Sequence, residues 1–212
     1  MKSTWIKNAL IVNEGETYKG SVVISGETIA EVIKGDNLPS TPYNETIDAN
    51  ECYLLPGVID DHVHFRDPGL THKADIHTES MAAAAGGVTS YMDMPNTNPQ
   101  TTTLEALETK FKDAATKSIV NYSFYFGATN NNADLLPLLD KQKVCGVKLF
   151  MGASTGNMLV DRMETLKNIF SNAGMLIATH CEDQNIITAQ AKEKKKKYGE
   201  DPDIKYHPEI RN

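Results

Sequence analysis

The sequence predicts an α/β fold in which a small β-rich segment precedes five strand–helix units. Three observations carry this expectation. Short β-rich runs punctuated by glycine fill residues 1–55. From Pro56 onward, apolar strand-like runs alternate with helical stretches. The alternation recurs at about 30 residues per unit, the length of a βαβ crossover that builds a parallel sheet.

In the first segment the strand candidates are Trp5-Ile6, Leu10 to Val12, Ser21 to Ile24 and Ile29 to Ile33, with Gly15, Gly20, Gly26 and Gly35 between them. Residues 36–50 are polar, carry Pro39 and Pro42, and read as a connection. The second segment, residues 56–212, offers strands at Val58 to Phe65, Val88 to Met94, Asn121 to Gly127, Cys145 to Met151 and Met175 to His180. Helices are expected at Lys73 to Ala85, Thr103 to Lys117, Asn132 to Lys141, Asp161 to Asn172 and Glu182 to Tyr198, with Gly86 and Gly174 as stop signals. Five such units suit either an open doubly wound sheet or part of a (β/α)₈ barrel.

Composition narrows the function classes. The 212 residues are 40% hydrophobic and 23% charged, the balance of a globular protein. A formal net charge of −7 argues against nucleic acid as a partner. No stretch approaches the ~20 apolar residues of a membrane span, and the amino terminus lacks the apolar core of a secretion signal. Cys52, Cys145 and Cys181 stand at no metal-like spacing and read as reduced thiols, so a cytoplasmic location is expected. For Cys181 the expectation is a small buried side chain.

The chemistry gathers at the expected strand ends. His62 and His64 are two apart on one strand, so their rings project from one face and suit a single cation as neutral ligands. Arg66 follows them, Asn96 follows the second strand, and His180 ends the fifth. Lys148 lies inside the otherwise apolar strand Gly146-Val147-Lys148-Leu149-Phe150-Met151. A buried ammonium is costly unless paired, and burial favours the neutral amine, which can add carbon dioxide to become a carboxylate-like carbamate. The bland reading of Lys148 is an ion pair with a neighbouring acid. Asp60 shares the strand parity of His62 and could orient a ligand.

Other signals are weaker. Gly152-Ala153-Ser154-Thr155-Gly156 fits the nucleophile-elbow pattern of a serine hydrolase but leaves the histidines and Lys148 unexplained. The run Lys194 to Lys197 reads as the solvated end of a helix, where the dipole favours cations. His207 precedes a proline in a polar stretch and reads as a loop or helix-start residue.

Taken together, Asp60 to Gly69, Gly86-Gly87-Val88-Thr89, Met94-Pro95-Asn96-Thr97-Asn98-Pro99, Gly146 to Phe150 and Ala178-Thr179-His180-Cys181-Glu182 resemble dihydroorotase of the amidohydrolase superfamily. The His-x-His strand points only to the superfamily; Arg66 with the Met-Pro-Asn-Thr loop narrows it. The resemblance implies the first five units of a (β/α)₈ barrel of TIM type, a metal-dependent hydrolase barrel, preceded by a small composite β-sandwich domain. It further implies zinc, two ions per site, held by His62, His64 and His180 and bridged by carbamylated Lys148. Arg66 and Asn96 would bind the substrate carboxylate. The implied reaction is the reversible hydrolysis of dihydroorotate to N-carbamoyl-L-aspartate, in pyrimidine biosynthesis, with a small-molecule substrate, no membrane partner and a homodimer compatible with it. The alternatives are another cyclic amidohydrolase, such as an allantoinase or a dihydropyrimidinase (hydantoinase), and a non-catalytic scaffold relative.

The same resemblance implies that residues are missing. The family barrel carries another histidine ligand after its sixth strand and a catalytic aspartate, the general base, after its eighth. Asn212 precedes both positions. The expectation is therefore an N-terminal portion of a longer protein, inactive by itself, whose β-rich domain is completed from the C-terminus.

Overall fold

The computed structural model describes residues 2–152 and 158–211. The chain divides into two compact units, Met1–Gly57 and Val58–Asn212.

In the first unit, β1 (Ser3–Asn13), β2 (Glu16–Ser25) and β3 (Thr28–Lys34) form an antiparallel meander. Its first turn is Glu14-Gly15, both with positive φ (51° and 79°), the twist that suits a two-residue hairpin. Ala9, Ile11 and Val22 make the buried cluster, with Tyr18, Ile24, Ala49 and Leu54 against it. Two further strands, β4 (Glu45–Asp48) and β5 (Tyr53–Leu54), run parallel to β1. β4 corrects the expectation of a plain connection over 36–50. All four of its residues are exposed, so no buried alternation betrays it. Backbone pairing holds it, helped by Asn8 Nδ2 donating to Asp48 at 2.9 Å.

The second unit alternates as expected: β6 (Val58–Val63), α1 (Ile76–Ala85), β7 (Val88–Asp93), α2 (Leu104–Lys117), β8 (Asn121–Gly127), β9 (Gly146–Phe150), α3 (Met163–Asn172), β10 (Ile177–His180) and α4 (Gln184–Tyr198). A short α5 (His207–Arg211) follows, starting at His207. The strands pair in parallel and in sequential order from β6 to β10. Tyr91, Phe124, Phe126, Val147 and Leu149 supply the sheet side of the main core, and Ile76, Leu107, Ala114, Leu166 and Ile169 supply the helix side. Helix starts are fixed by side-chain caps: Asp75 accepts from the Thr78 amide, Thr103 from Ala106, and Asp183 from Asn185 and Ile186.

One expected helix is absent. Between β8 and β9 the chain makes only a 3₁₀ turn, Ala133–Leu138, in place of a helix over 132–141. Pro137 lies inside it and has no N–H to continue an α-helical ladder. No helix among the described residues is long and apolar enough to cross a membrane.

Candidate metal centre

The site is built where β6 stops. A register shift places Asp60 opposite Tyr91 and Val63 opposite Asp93, three steps of β6 against two of β7. This bulge breaks the simple alternation between Asp60 and His62. Asp60 is exposed, and its carboxylate accepts from the His62 backbone N–H at 3.2 Å. It braces the strand beneath the histidine and touches no ring.

His62 and His64 lie side by side, ring centroids 5.4 Å apart and planes tilted by 55°. Two imidazoles bound to one tetrahedral zinc at the usual Zn–N length have centroids about 5 Å apart, so the pair already has metal-binding spacing. His64 Nδ1 sits 2.9 Å from Asn96 Oδ1. The amide oxygen is an acceptor only, so Nδ1 carries the hydrogen and Nε2 keeps a lone pair. Partial desolvation pushes the His64 pKa down from its ordinary value, and the nearby Arg66 charge adds to this. The neutral ring is the ligating form.

Arg66 takes φ = 67°, a left-handed conformation uncommon for a residue with a side chain. The chain turns sharply there, three residues past the end of β6. Among the described residues no carboxylate pairs with its guanidinium. The turn is packed closely against the loop after β7. A Cβ on Gly69 (φ 80°) would come within 1.8 Å of the Asn98 carbonyl oxygen, and Asn98 N–H donates to Pro68 O at 3.0 Å. Two buried acids anchor these loops from behind. Asp93 Oδ1 accepts from the Phe65 amide at 3.0 Å and Oδ2 pairs with Lys110 at 2.6 Å, both side chains fully buried. Asp67 pairs with Lys117 at 2.8 Å. Sequence reading missed these pins, because each joins groups 17 to 50 positions apart in the chain.

Lys148 is 4% exposed in the middle of β9 and has no acidic partner among the described residues, so the ion-pair reading fails. Its Nζ lies 5.1 Å from the Phe150 ring. Desolvation pushes its pKa below the ordinary lysine value. In register, Lys148 sits opposite Ala178 of β10, and His180 sits opposite Phe150, one strand repeat further on. Lys148 and His180 therefore share a sheet face. His180 Nε2 lies 3.0 Å from Glu182 Oε2, and Arg211 donates through Nε to Glu182 Oε1 at 2.7 Å and through Nη2 to Oε2. Cys181 is exposed, contrary to the buried side chain expected, because it follows the strand end; its thiol donates to Thr179 Oγ1 at 2.9 Å.

Among the described residues, no three His, Cys, Asp or Glu side chains converge closely enough to hold a metal by themselves. The structure brings His62, His64 and Asn96 together, and it places Lys148 and His180 on one face of the two last strands. The donor chemistry fits a divalent metal if Lys148 supplies a carbamate. The elbow motif at Ser154 falls outside the described residues.

A family model described as dihydro-orotase-like matches residues 52–200. The chain belongs to that family. A dihydroorotase of Methanosphaera stadtmanae is 34% identical to this dihydro-orotase-like chain over 190 residues, 88% of this chain and 43% of the relative. An allantoinase of Deinococcus radiodurans is 36% identical over 182 residues, 82% of this chain and 39% of the relative. Among solved structures, the L-hydantoinase (dihydropyrimidinase) from Arthrobacter aurescens superposes with a TM-score of 0.87 at 28% identity, over all of this chain and 47% of that one. The chain thus spans less than half the length of these relatives. It has the fold of the N-terminal part of a TIM-barrel amidohydrolase, a curled parallel half-barrel with a β-rich domain. The relatives have cyclic amide hydrolysis in common, so the family is one of cyclic amidohydrolases.

Proposed function

We propose that the protein is a zinc-dependent dihydroorotase, opening dihydroorotate to N-carbamoyl-L-aspartate and closing it in reverse, in pyrimidine biosynthesis. His62, His64 and His180 would hold two ions, with carbamylated Lys148 between them. The observation that carries the substrate assignment is Arg66, a guanidinium with no acidic partner among the described residues, on a left-handed residue two positions beyond His64. Such a group is suited to a carboxylate, which it can clamp through two parallel hydrogen bonds.

The chain's own residues divide the work. A neutral Lys148 amine attacks carbon dioxide; the N–C bond forms, one proton leaves to water, and a carbamate with two oxygen donors results. Asn96 holds the His64 tautomer that leaves Nε2 unprotonated, and its amide N–H₂ remains a donor for the substrate carboxylate. Bound zinc supplies a water of lowered pKa and a Lewis acid for the ring amide carbonyl. Arg66 and Asn96 together fix the ring by its carboxylate, so that the scissile amide is presented in one orientation.

The allantoinase and hydantoinase relatives favour a second reading, in which the same centre opens a different cyclic amide. Turnover of dihydroorotate, allantoin and dihydrouracil by the intact, zinc-loaded protein separates the two. Dihydroorotate as the preferred substrate is the expected result. Arg66→Ala should lower kcat/KM for dihydroorotate roughly 10- to 150-fold, mainly through KM, the equivalent of about 1.5–3 kcal/mol for a lost charge-assisted contact. Unchanged dihydroorotate kinetics in that variant would remove the carboxylate-clamp role.

A further inference from the structure

Two features around His180 lie outside the set of ligands and substrate contacts. Glu182, two residues beyond the histidine, places Oε2 3.0 Å from His180 Nε2. Its carboxylate is engaged from behind by Arg211, Nε to Oε1 at 2.7 Å and Nη2 to Oε2, a bidentate fork. Arg211 does not arrive by chance. It belongs to α5, which is tied back onto α4 by the Lys194–Glu209 ion pair, and the 3₁₀ turn just before α5 is held to α4 by Tyr206 stacked on Tyr198 with centroids 4.2 Å apart.

A carboxylate only accepts, so the His180 hydrogen belongs on Nε2 and the lone pair on Nδ1. His64 is held in the opposite sense, with its hydrogen on Nδ1 by Asn96. A carboxylate held on the far nitrogen of a metal-ligating imidazole fixes its tautomer and ring angle and raises its basicity. The arginine fork in turn fixes the carboxylate.

We infer that Glu182, locked by Arg211 of α5, is the positioning residue that presents His180 through Nδ1 to its metal. This rests on the proposal that His180 is a ligand. It adds a dependence of one metal site on the α4–α5 contact.

The test is titration of the intact apo-protein with Zn²⁺ and with Co²⁺, whose d–d absorption reports ligand geometry, in wild type, Glu182→Gln, Arg211→Met and His180→Ala. Glu182→Gln keeps the shape of the side chain and removes its charge. It should weaken the metal bound through His180 by roughly 10- to 100-fold and alter its Co²⁺ spectrum, leaving the other metal and the apo-protein melting temperature unchanged. Arg211→Met should do the same to a lesser degree. Wild-type affinity and spectrum in Glu182→Gln, alongside metal loss in His180→Ala, would overturn the inference and leave the ligand assignment intact. Wild-type metal binding in His180→Ala would overturn both. Weakening of both metals equally, with a lowered apo melting temperature, would also overturn it by showing a structural role only.

Discussion

A histidine that must stay neutral to bind a metal needs its cationic form discouraged, and His64 meets this from two sides, partial desolvation and the Arg66 charge. The folded pKa lies below the ordinary 6.5, so between those two values the unfolded chain holds the extra proton. The resulting contribution to stability is present above 6.5 and is lost as the pH falls through the folded value. In an NMR titration of the metal-free protein, His64 should therefore titrate below 6.5; Arg66→Met should raise its midpoint and Asn96→Ala should lower it further. An unmoved midpoint in Arg66→Met would mean that the guanidinium exerts no field at the ring. At this scale the sequence was legible wherever a residue was locally anomalous. Two histidines two apart and a lysine inside an apolar strand announce themselves without knowledge of their neighbours. Glu182 stood within a motif singled out in the sequence, yet its contact with His180 has meaning only once Arg211, 29 positions on, is seen to hold it. For Asp60, strand parity left a ligand-orienting role and a plain strand-end acid equally open; β6 has a bulge there, and the carboxylate accepts from the His62 backbone amide.

Elements were legible where periodicity and caps agree, and obscured where tertiary pairing decides. The strands of the second unit and helices α1 to α4 fall where apolar runs and capping residues place them. β4 is invisible in sequence because it buries no side chain. Residues 132–141 make a 3₁₀ turn and no α-helix because Pro137 within them has no N–H to continue the ladder. The join between α2 and β7 has its own test. Lys110 and Asp93 form a fully buried pair, and Lys110 also donates to Met94 O at 3.1 Å. Burial pushes the Lys110 ammonium below its usual pKa while Asp93 opposes that shift. Lys110→Met leaves a buried carboxylate without its cation and should cost about 3–5 kcal/mol in urea unfolding at constant m. Adding Asp93→Asn should recover part of the loss, since the amide oxygen still accepts from the Phe65 N–H and no charge remains. A double variant as unstable as the single one would mean that the cost lies in the lysine's packing and not in the unpaired charge.

For the molecule as a whole, the parallel sheet of the second unit has two edges, β6 and β10. Every residue of β6 except Val63 is exposed and every residue of β10 is half-buried, whereas β9 is buried throughout. A parallel strand with one paired side presents unsatisfied backbone donors and acceptors to solvent, and its opening energy is low compared with that of an interior strand. Of the groups assigned to metal binding, His62 is on β6 and His180 on β10, the two edge strands, whereas Lys148 lies on the buried β9. In the 212-residue chain, hydrogen exchange should be slowest over 121–127 and 146–150, and orders of magnitude faster over 58–63 and 177–180. Zinc bound across the site should slow exchange at both edges together, because any ligand that prefers the folded state stabilises the strands it joins. Equal protection of β6 and of β8 without metal would contradict an open half-barrel and would mean that another strand, such as one from a second copy, already pairs with that edge.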